Sequence, residues 1–557
     1  MTGTGTTMTT LAAAVGRTLA ANGIHDAFGV VGNGNVYAVD ALIANGVRYV
    51  AARHEGGAMA MADAYYRATG EIAICTTTYG PGLTNLATGL AEAAKHSSGA
   101  LVLCGDAPAH RPPRPADIDQ TGFVTALGVP VVRLTDPRTA LAETAAAVRL
   151  ARTSQAPVVL FLPDDLLKTE VADEPAVADA ESADRPAPAR TELEAATDVL
   201  AGARRPLVLA GLGAWRSGAR EALIELTDEL GGLVATTVMA NGMFTGYPWS
   251  VGICGGFSAP AAARLIGEAD VVVVFGASLG TFTLHGGKLL AQGAKVVQVD
   301  IAKPPTSPRT DLGITGDARE VAAALLTELR IRQPRRSRWR AEAGPDVGRA
   351  QWTRTPHADA GTAERIDPRT LAAALAGLLP EERTLVTDGG HFVGWPIMYW
   401  PVPDPAGLVF TGASFMGIGL GFGGAVGAAA GRPDRTTVVA LGDGGALMGL
   451  PDLETLIRVA TSAVVVVFDD GAYGWEVHVY GEDTTDLGTM SFGDTDFAAV
   501  SRALGATAVT VRSVADLAAV RTWRDGGARG TLVLDCKVVP EVMADYLAEL
   551  RHRLRAG

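Results

Sequence analysis

The chain has 557 residues, 48% of them hydrophobic, and a formal net charge of −13, with a mean hydropathy of +0.20. That length is too great for one core and implies roughly two to four domains, while the acidic balance argues against a nucleic-acid partner, which needs concentrated Lys and Arg. The four cysteines, Cys75, Cys104, Cys254 and Cys536, form no CxxC pair, which gives neither a zinc site nor a disulfide framework and suits a reducing cytosol.

The opening MTGTGTTMTT has neither the basic nor the apolar region of a signal peptide. No apolar run reaches the roughly 20 residues that a bilayer span requires, so the expectation is a soluble, cytoplasmic protein with no membrane partner. In chain order, GGAMAMADAYYRATG reads as a helix, and EIAICTTT and ALVLCGD, which follow it, read as buried parallel strands. Residues 172–192 are Ala-, Pro- and acid-rich and read as a linker. The next strands are PLVLAGLG, DVVVVFGAS and KVVQVDI, separated by Ala/Leu-rich helices. Residues 331–365 read as a second, polar linker; its arginines Arg332, Arg335, Arg336, Arg338 and Arg340 fit a solvated stretch or a subunit contact better than an anion site. The last strands are TLVTDGG, TTVVALGDGG and SAVVVVFDD. Continuous apolar runs imply strands covered on both faces. The expected fold is therefore α/β, with three doubly wound parallel-sheet domains over residues 1–180, 190–332 and 360–557.

Carboxylates and glycines at the carboxyl ends of such strands lie where ligands bind. TTVVAL ends in Gly442-Asp443-Gly444-Gly445, a helical pattern follows with Leu453, Leu456, Ile457 and Ala460 on one face, and SAVVVVF ends in Asp469-Asp470. A right-handed βαβ unit brings the two strand ends together. Hard oxygen ligands there, with glycines admitting a phosphate to the backbone, suit Mg²⁺ or Ca²⁺. Taken alone, the same residues would also serve as a turn and a helix cap. Glu55, in VRYVAARHEGGAMAMADAYYRATG, taken alone is an acid favoured at a helix N-terminus by the macrodipole.

The GDG sequence followed by an acidic pair after 24 intervening residues resembles the metal–diphosphate motif of thiamine diphosphate (ThDP) enzymes. The chain resembles their acetolactate synthase/pyruvate decarboxylase branch over almost its full length. FGVVGNGNVYAVDAL, HEGGAMAMADAYYRATG, TTTYGPGLTNLATGLAEA, VTDGGHFVGW and TGASFMGIGLG all carry the likeness. It implies a pyrimidine-binding, a central and a diphosphate-binding domain. Asp443, Asp470 and the carbonyl of Ala472 would bind the metal, with Asp-Asp standing where the family usually has Asn-Asn. That extra charge predicts retained metal and ThDP binding with a stricter metal requirement. Glu55 would be the acid that activates the cofactor's aminopyrimidine, by sharing a proton with its ring nitrogen. Gly390, His391, Gly442, Gly444, Gly445, Tyr473 and Gly474 would surround the diphosphate, and Met416 would support the bent cofactor or else be a core methionine.

Around the reacting carbon, Tyr473 and Glu476 fit the spacing of a tyrosine and a proton-handling glutamate in 2-oxoacid decarboxylases of the family. Gln120 matches the glutamine of the acetolactate synthase signature Phe-Gln-Glu, with Thr121 replacing the glutamate. Asn33 and Asn35 lie on a loop implied to face the thiazolium, and Thr78 and Tyr79 stand where other branches place a His or Ser pair. His285 is near the place of a central-domain histidine and is otherwise structural. GLGAWRSG has Arg216 where a dinucleotide fingerprint needs Gly, and FGASLGTFTLHGG lacks flavin-holding arginines, so FAD is not expected. The resemblance implies a ThDP- and Mg²⁺-dependent enzyme acting on a 2-oxoacid, which decarboxylates it and protonates the enamine or joins it to a second carbonyl substrate. The active site would lie at a subunit interface of a homodimer or homotetramer. An alternative is a ThDP-dependent lyase or C–C hydrolase on acyl-CoA or diketone substrates; a non-catalytic ThDP-fold partner protein is disfavoured by Glu55, Asp443 and Met416 together.

Overall fold

The structure, a computed structural model, describes residues 7–108, 114–178, 186–302, 305–484 and 486–556. Residues 179–185 of the expected first linker lie outside these. Three six-stranded sheets, every internal pairing of which is parallel, follow one another along the chain. Their central strands are the apolar runs read from the sequence, such as Ala100–Asp106, Val271–Phe275 and Ser462–Asp469. These are buried nearly throughout because helices cover both faces.

The first sheet, numbered by chain order of its own strands, has the order 2-1-3-4-6-5, and so has the third. The central sheet has the order 3-2-1-4-5-6, that of dinucleotide-binding folds. The shared order gives the first and third domains equivalent switch points. In the first domain these follow Asp26–Gly29 and Ile74–Thr77; in the third they follow Arg383–Thr387 and Thr436–Gly442. Residues 30–35 and 78–80 are thus the counterparts of residues 388–391 and 443–445.

The equivalent helices Glu55–Thr69 and Gly421–Gly431 pack directly on each other and tie the two domains together. Their sequences allow it because they are nearly all Ala and Gly at the contact. A Cβ at Gly423 would stand 2.8 Å from the carbonyl oxygen of Gly57, and one at Gly427 would overlap the carbonyl oxygen of Met61. Gly427→Ala is therefore expected to destabilise the protein by about 1–3 kcal/mol by overpacking. The same change in an unencumbered helix would stabilise it by up to about 1 kcal/mol, so the sign of the shift in urea unfolding decides the point. Hydrophobic cores are shared between domains: one joins the first and third sheets through Met61, Val386 and Phe422, another joins the central and third through Phe257, Trp395 and Tyr546.

The polar stretch 331–365 differs from its expectation as a solvated linker. It contains a helix, Trp339–Val347, whose Trp339 is buried in the core shared by the central and third domains. Arg340 donates to Asp228 at 2.8 Å and to the carbonyl of Gly232 at 2.8 Å. Tryptophan and arginine anchor this segment, and neither registers as an aliphatic period. Among the described residues no helix is long and apolar enough to cross a membrane.

Candidate active site

Strands Thr436–Gly442 and Ser462–Asp469 pair in register, Gly442 opposite Phe468, so the carboxylates that follow them converge. Asp443 accepts from the Gly444 N–H at 2.8 Å and the Gly471 N–H at 2.7 Å. Asp470 accepts from the Ala472 N–H at 3.2 Å and lies 3.6 Å from Nδ1 of His391. The pair is not symmetric in chemistry. Asp469 is fully buried with Nζ of Lys537 at 2.5 Å, a lysine it shares with Asp535, so it is paired inside the protein. Burial raises the carboxyl pKa of both Asp443 and Asp470, and neighbouring carboxylates raise them further. Burial, aided by His478, holds the His391 imidazole down at about 3, so it is neutral and does not repel a cation.

Asp443, Asp470 and His391 line one wall of a cavity of about 620 Å³ between the third and central domains. Gly390, Met416, Gly442, Gly444, Gly445, Ala472, Tyr473, Gly474 and Glu476 line it too. The glycines are required: a Cβ at Gly444 would stand 2.6 Å from the Tyr473 ring, and one at Gly474 would meet both Asp470 and His391. Among the described residues no three His, Cys, Asp or Glu side chains form a complete metal cage. A cation here would take two carboxylates and complete its shell with carbonyl, diphosphate or water oxygens, the donor set that Mg²⁺ accepts. The residues present fit both groups.

The loop bearing Met416 is held by the first domain. Glu92, Arg67 and Asp63 form a solvent-free cluster whose side chains are at most 3% exposed, with Arg67 to Glu92 at 2.9 Å. Glu92 accepts from the N–H groups of Ser414 at 3.1 Å and Phe415 at 2.6 Å, and Arg67 donates to the Phe410 carbonyl at 2.6 Å. Met416 itself has φ 60° and is 75% exposed, which removes its reading as a core methionine. Glu92→Gln removes one of the two carboxylates paired with the buried Arg67, Asp63 remaining, and weakens the bonds from Ser414 and Phe415, so it is expected to cost about 1.5–3 kcal/mol in urea unfolding. An exposed ion pair would cost under about 1 kcal/mol. Asp388, at the other switch point, accepts from the N–H groups of Gly389 at 2.9 Å and Gly419 at 2.7 Å, joining the two cavity loops. Burial pushes its carboxyl up to about 6 against those hydrogen bonds.

The remaining candidates gather elsewhere. Glu55 opens the helix Glu55–Thr69 behind His54, is half-buried, and accepts from Asn85 Nδ2 at 3.0 Å. Asn33 accepts from Thr78 Oγ1 at 3.1 Å and donates to Tyr79 at 3.3 Å. Asn35 is buried and fastens the loop, receiving the Gly32 N–H at 2.7 Å. Gln120 is buried as well: it receives the Gly80 N–H at 2.9 Å and donates to Asp106 at 3.1 Å and the Gly105 carbonyl at 3.2 Å. Its amide is thus engaged in bracing the Gly80 turn. No residue of the first domain is among the described residues lining the Asp443 cavity of the same chain. His285 is not among them either, although Phe282 and Thr283 from its turn are. Sequence reasoning missed Asp388, whose place at a strand end was a usable signal, and Glu92, Trp475 and Tyr546, which gave none.

Comparisons with known proteins agree with this layout. Family models described as the N-terminal TPP binding, central and C-terminal TPP binding domains of thiamine pyrophosphate enzymes match residues 9–123, 193–325 and 388–536. A probable acetolactate synthase large subunit of Methanocaldococcus jannaschii is 28% identical over 86% of this chain and 83% of its own. A sulfoacetaldehyde acetyltransferase of Alcaligenes xylosoxydans xylosoxydans is 27% identical over 90% and 88%. A probable 2-ketoarginine decarboxylase of Pseudomonas aeruginosa is 30% identical over 88% and 87%.

Proposed function

The chain belongs to the thiamine pyrophosphate-dependent enzymes, in their acetolactate synthase branch, and we propose that it releases CO₂ from a 2-oxoacid and protonates the product to an aldehyde, with Mg²⁺ as counter-ion of the diphosphate. As a ThDP-dependent enzyme it is a decarboxylase or carboligase of 2-oxoacids. The observation that favours protonation is that Glu476 stands in the same cavity as Asp443 and Asp470, whereas Gln120, the residue pointing to carboligation, has its amide engaged within its own domain.

Asp443, Asp470 and the Ala472 carbonyl would hold Mg²⁺. Gly390, His391, Gly442, Gly444, Gly445, Tyr473 and Gly474 would surround the diphosphate, and Met416 would stand beneath the rings. Bound ThDP supplies an electron sink for the pair freed when the bond to the carboxylate breaks. Glu55 holds a proton at the aminopyrimidine. Glu476 would give a proton to the product carbon and regain one from solvent, which its exposed position permits. The largely apolar cavity wall disfavours the charged carboxylate and so favours its loss. Because no described residue of the first domain lines the Asp443 cavity of its own chain, the Glu55 that completes each site would come from a second subunit, making the active unit a dimer or a dimer of dimers. His285, Asn33 and Thr78 would act, if at all, on the substrate side of that composite site.

The test is incubation of apo-protein with ThDP, Mg²⁺ and a panel of 2-oxoacids, following CO₂ and carbonyl products. Aldehyde in step with CO₂ is expected. Coupled products without free aldehyde would favour the carboligase, and turnover of acyl-CoA or diketones alone would favour a lyase or hydrolase. The metal step carries its own pH signature. Both metal carboxyls have raised pKa values in the apo-protein, so their protonated forms stabilise it at low pH and that contribution is lost as pH rises. Mg²⁺ must displace those protons. Its affinity is therefore expected to rise with pH above the ordinary carboxylate range, with proton release seen by calorimetry in buffers of different ionisation enthalpy.

A further inference from the structure

Beyond the acids, the cavity is built of rings. Phe257 and Phe282 meet edge to face with centroids 4.8 Å apart, Phe257 and Tyr546 at 5.0 Å, and Tyr546 and Trp475 at 6.5 Å. All four line the cavity, with Met239 and Leu550 beside them. They come from different parts of the chain: two central-domain loops, one before the helix Pro260–Gly267 and one after the strand Val271–Phe275, the helix Gly474–Tyr480 that carries Glu476, and the C-terminal helix Asp545–Ala556. The hydroxyl of Tyr546 donates to the carbonyl of His391 at 2.9 Å. It therefore offers the cavity a ring and no free donor. Trp475 directly precedes Glu476, so the aromatic wall begins beside the group assigned to proton delivery.

The charge of the lining is one-sided. Its ionisable groups among the described residues are Asp443, Asp470 and Glu476, the neutral His391, and two tyrosines; no Lys or Arg lines it. A sulfonate, phosphonate or second carboxylate on the substrate would be desolvated against this wall with no Lys or Arg of the same chain among the described lining residues to pair with, which is costly. A methyl group would leave most of the wall uncovered. A guanidinium would have only Glu476 on this side, and that group is needed for proton transfer.

We infer that the substrate is a 2-oxoacid with a large, uncharged, apolar side chain, aryl or branched alkyl, held between Trp475, Phe257, Phe282 and Tyr546. This rests on the decarboxylase reading above and narrows it. Each added methylene in such a pocket is worth about 10-fold or more in selectivity.

The test compares kcat/KM of the ThDP- and Mg²⁺-loaded enzyme for phenylpyruvate, 4-methyl-2-oxopentanoate, pyruvate, 2-oxoglutarate, sulfopyruvate and 5-guanidino-2-oxopentanoate. The first two are expected to exceed pyruvate at least about tenfold, and the charged ones to fall below it. Phe282→Ala is expected to lower the ratio of phenylpyruvate to pyruvate. Calorimetry with unreactive acids gives a readout apart from turnover: 3-phenylpropanoate should bind more tightly than propanoate or glutarate. Pyruvate or a charged acid as best substrate overturns the inference and leaves the decarboxylase reading standing. CO₂ from none of the six, with 3-phenylpropanoate bound no better than propanoate, overturns both.

Discussion

Glu55→Gln is expected to lower turnover by about 10²–10⁴-fold, the usual worth of a positioned acid–base group, with folding and ThDP affinity little changed. The substitution preserves volume, and the amide oxygen can still accept from Asn85, which donates to Glu55 at 3.0 Å. The helix N-terminus remains capped by His54, whose Nδ1 receives the Gly56 N–H at 3.0 Å. What disappears is the carboxylate, the only thing in that position able to share a proton with a ring nitrogen. A merely structural Glu at a helix start would contribute under about 1 kcal/mol through the macrodipole, and its loss would lower stability rather than rate. Steady-state kinetics beside calorimetric ThDP binding separates the two. Wild-type turnover in the variant would leave Glu55 as a helix acid.

Asp443→Ala is expected to abolish Mg²⁺-dependent ThDP binding, because it removes one of the two strand-end carboxylates, Asp443 and Asp470, that would hold the cation. Its more informative use is in combination. Co-expressed with the Glu55→Gln chain, it forms mixed dimers in which one site carries both changes and the other carries neither. Random pairing in a symmetric dimer then returns about a quarter of wild-type activity. Had both residues served one site within one chain, every chain would be defective and no activity would return. The pairing experiment therefore reads the origin of Glu55 directly, and it does so from two inactive parents.

Met416 and Glu92 show how local and distant information divide. The sequence around Met416 marks it as special, and its φ of 60° with 75% exposure shows a backbone held against its preference. The group that holds it, Glu92, lies more than 300 residues earlier, on the opposite side of a domain boundary. Nothing in the Ala-rich helix Ala87–His96 distinguishes that glutamate from a solvated one. Likewise, the departure from Asn-Asn could be seen in Asp469-Asp470, but its electrostatic consequence could not. Lys537, 67 residues downstream of Asp470 on the neighbouring strand, pairs with Asp469 and leaves Asp470 alone facing the cavity.

The sequence by itself determined the three parallel sheets, because unbroken apolar runs admit no other covering, and it located the strand-end acids and glycines, because those residue types are excluded from the runs they terminate. Only the tertiary structure decided which of them share a cavity. Asp443, Asp470, Glu476 and Met416 meet around one space, while Glu55, Asn33 and Thr78 gather at the equivalent switch point of another sheet. The aromatic wall, too, is a product of folding: its rings are scattered over almost 300 residues, and spacing along a chain carries no record of contacts made between domains.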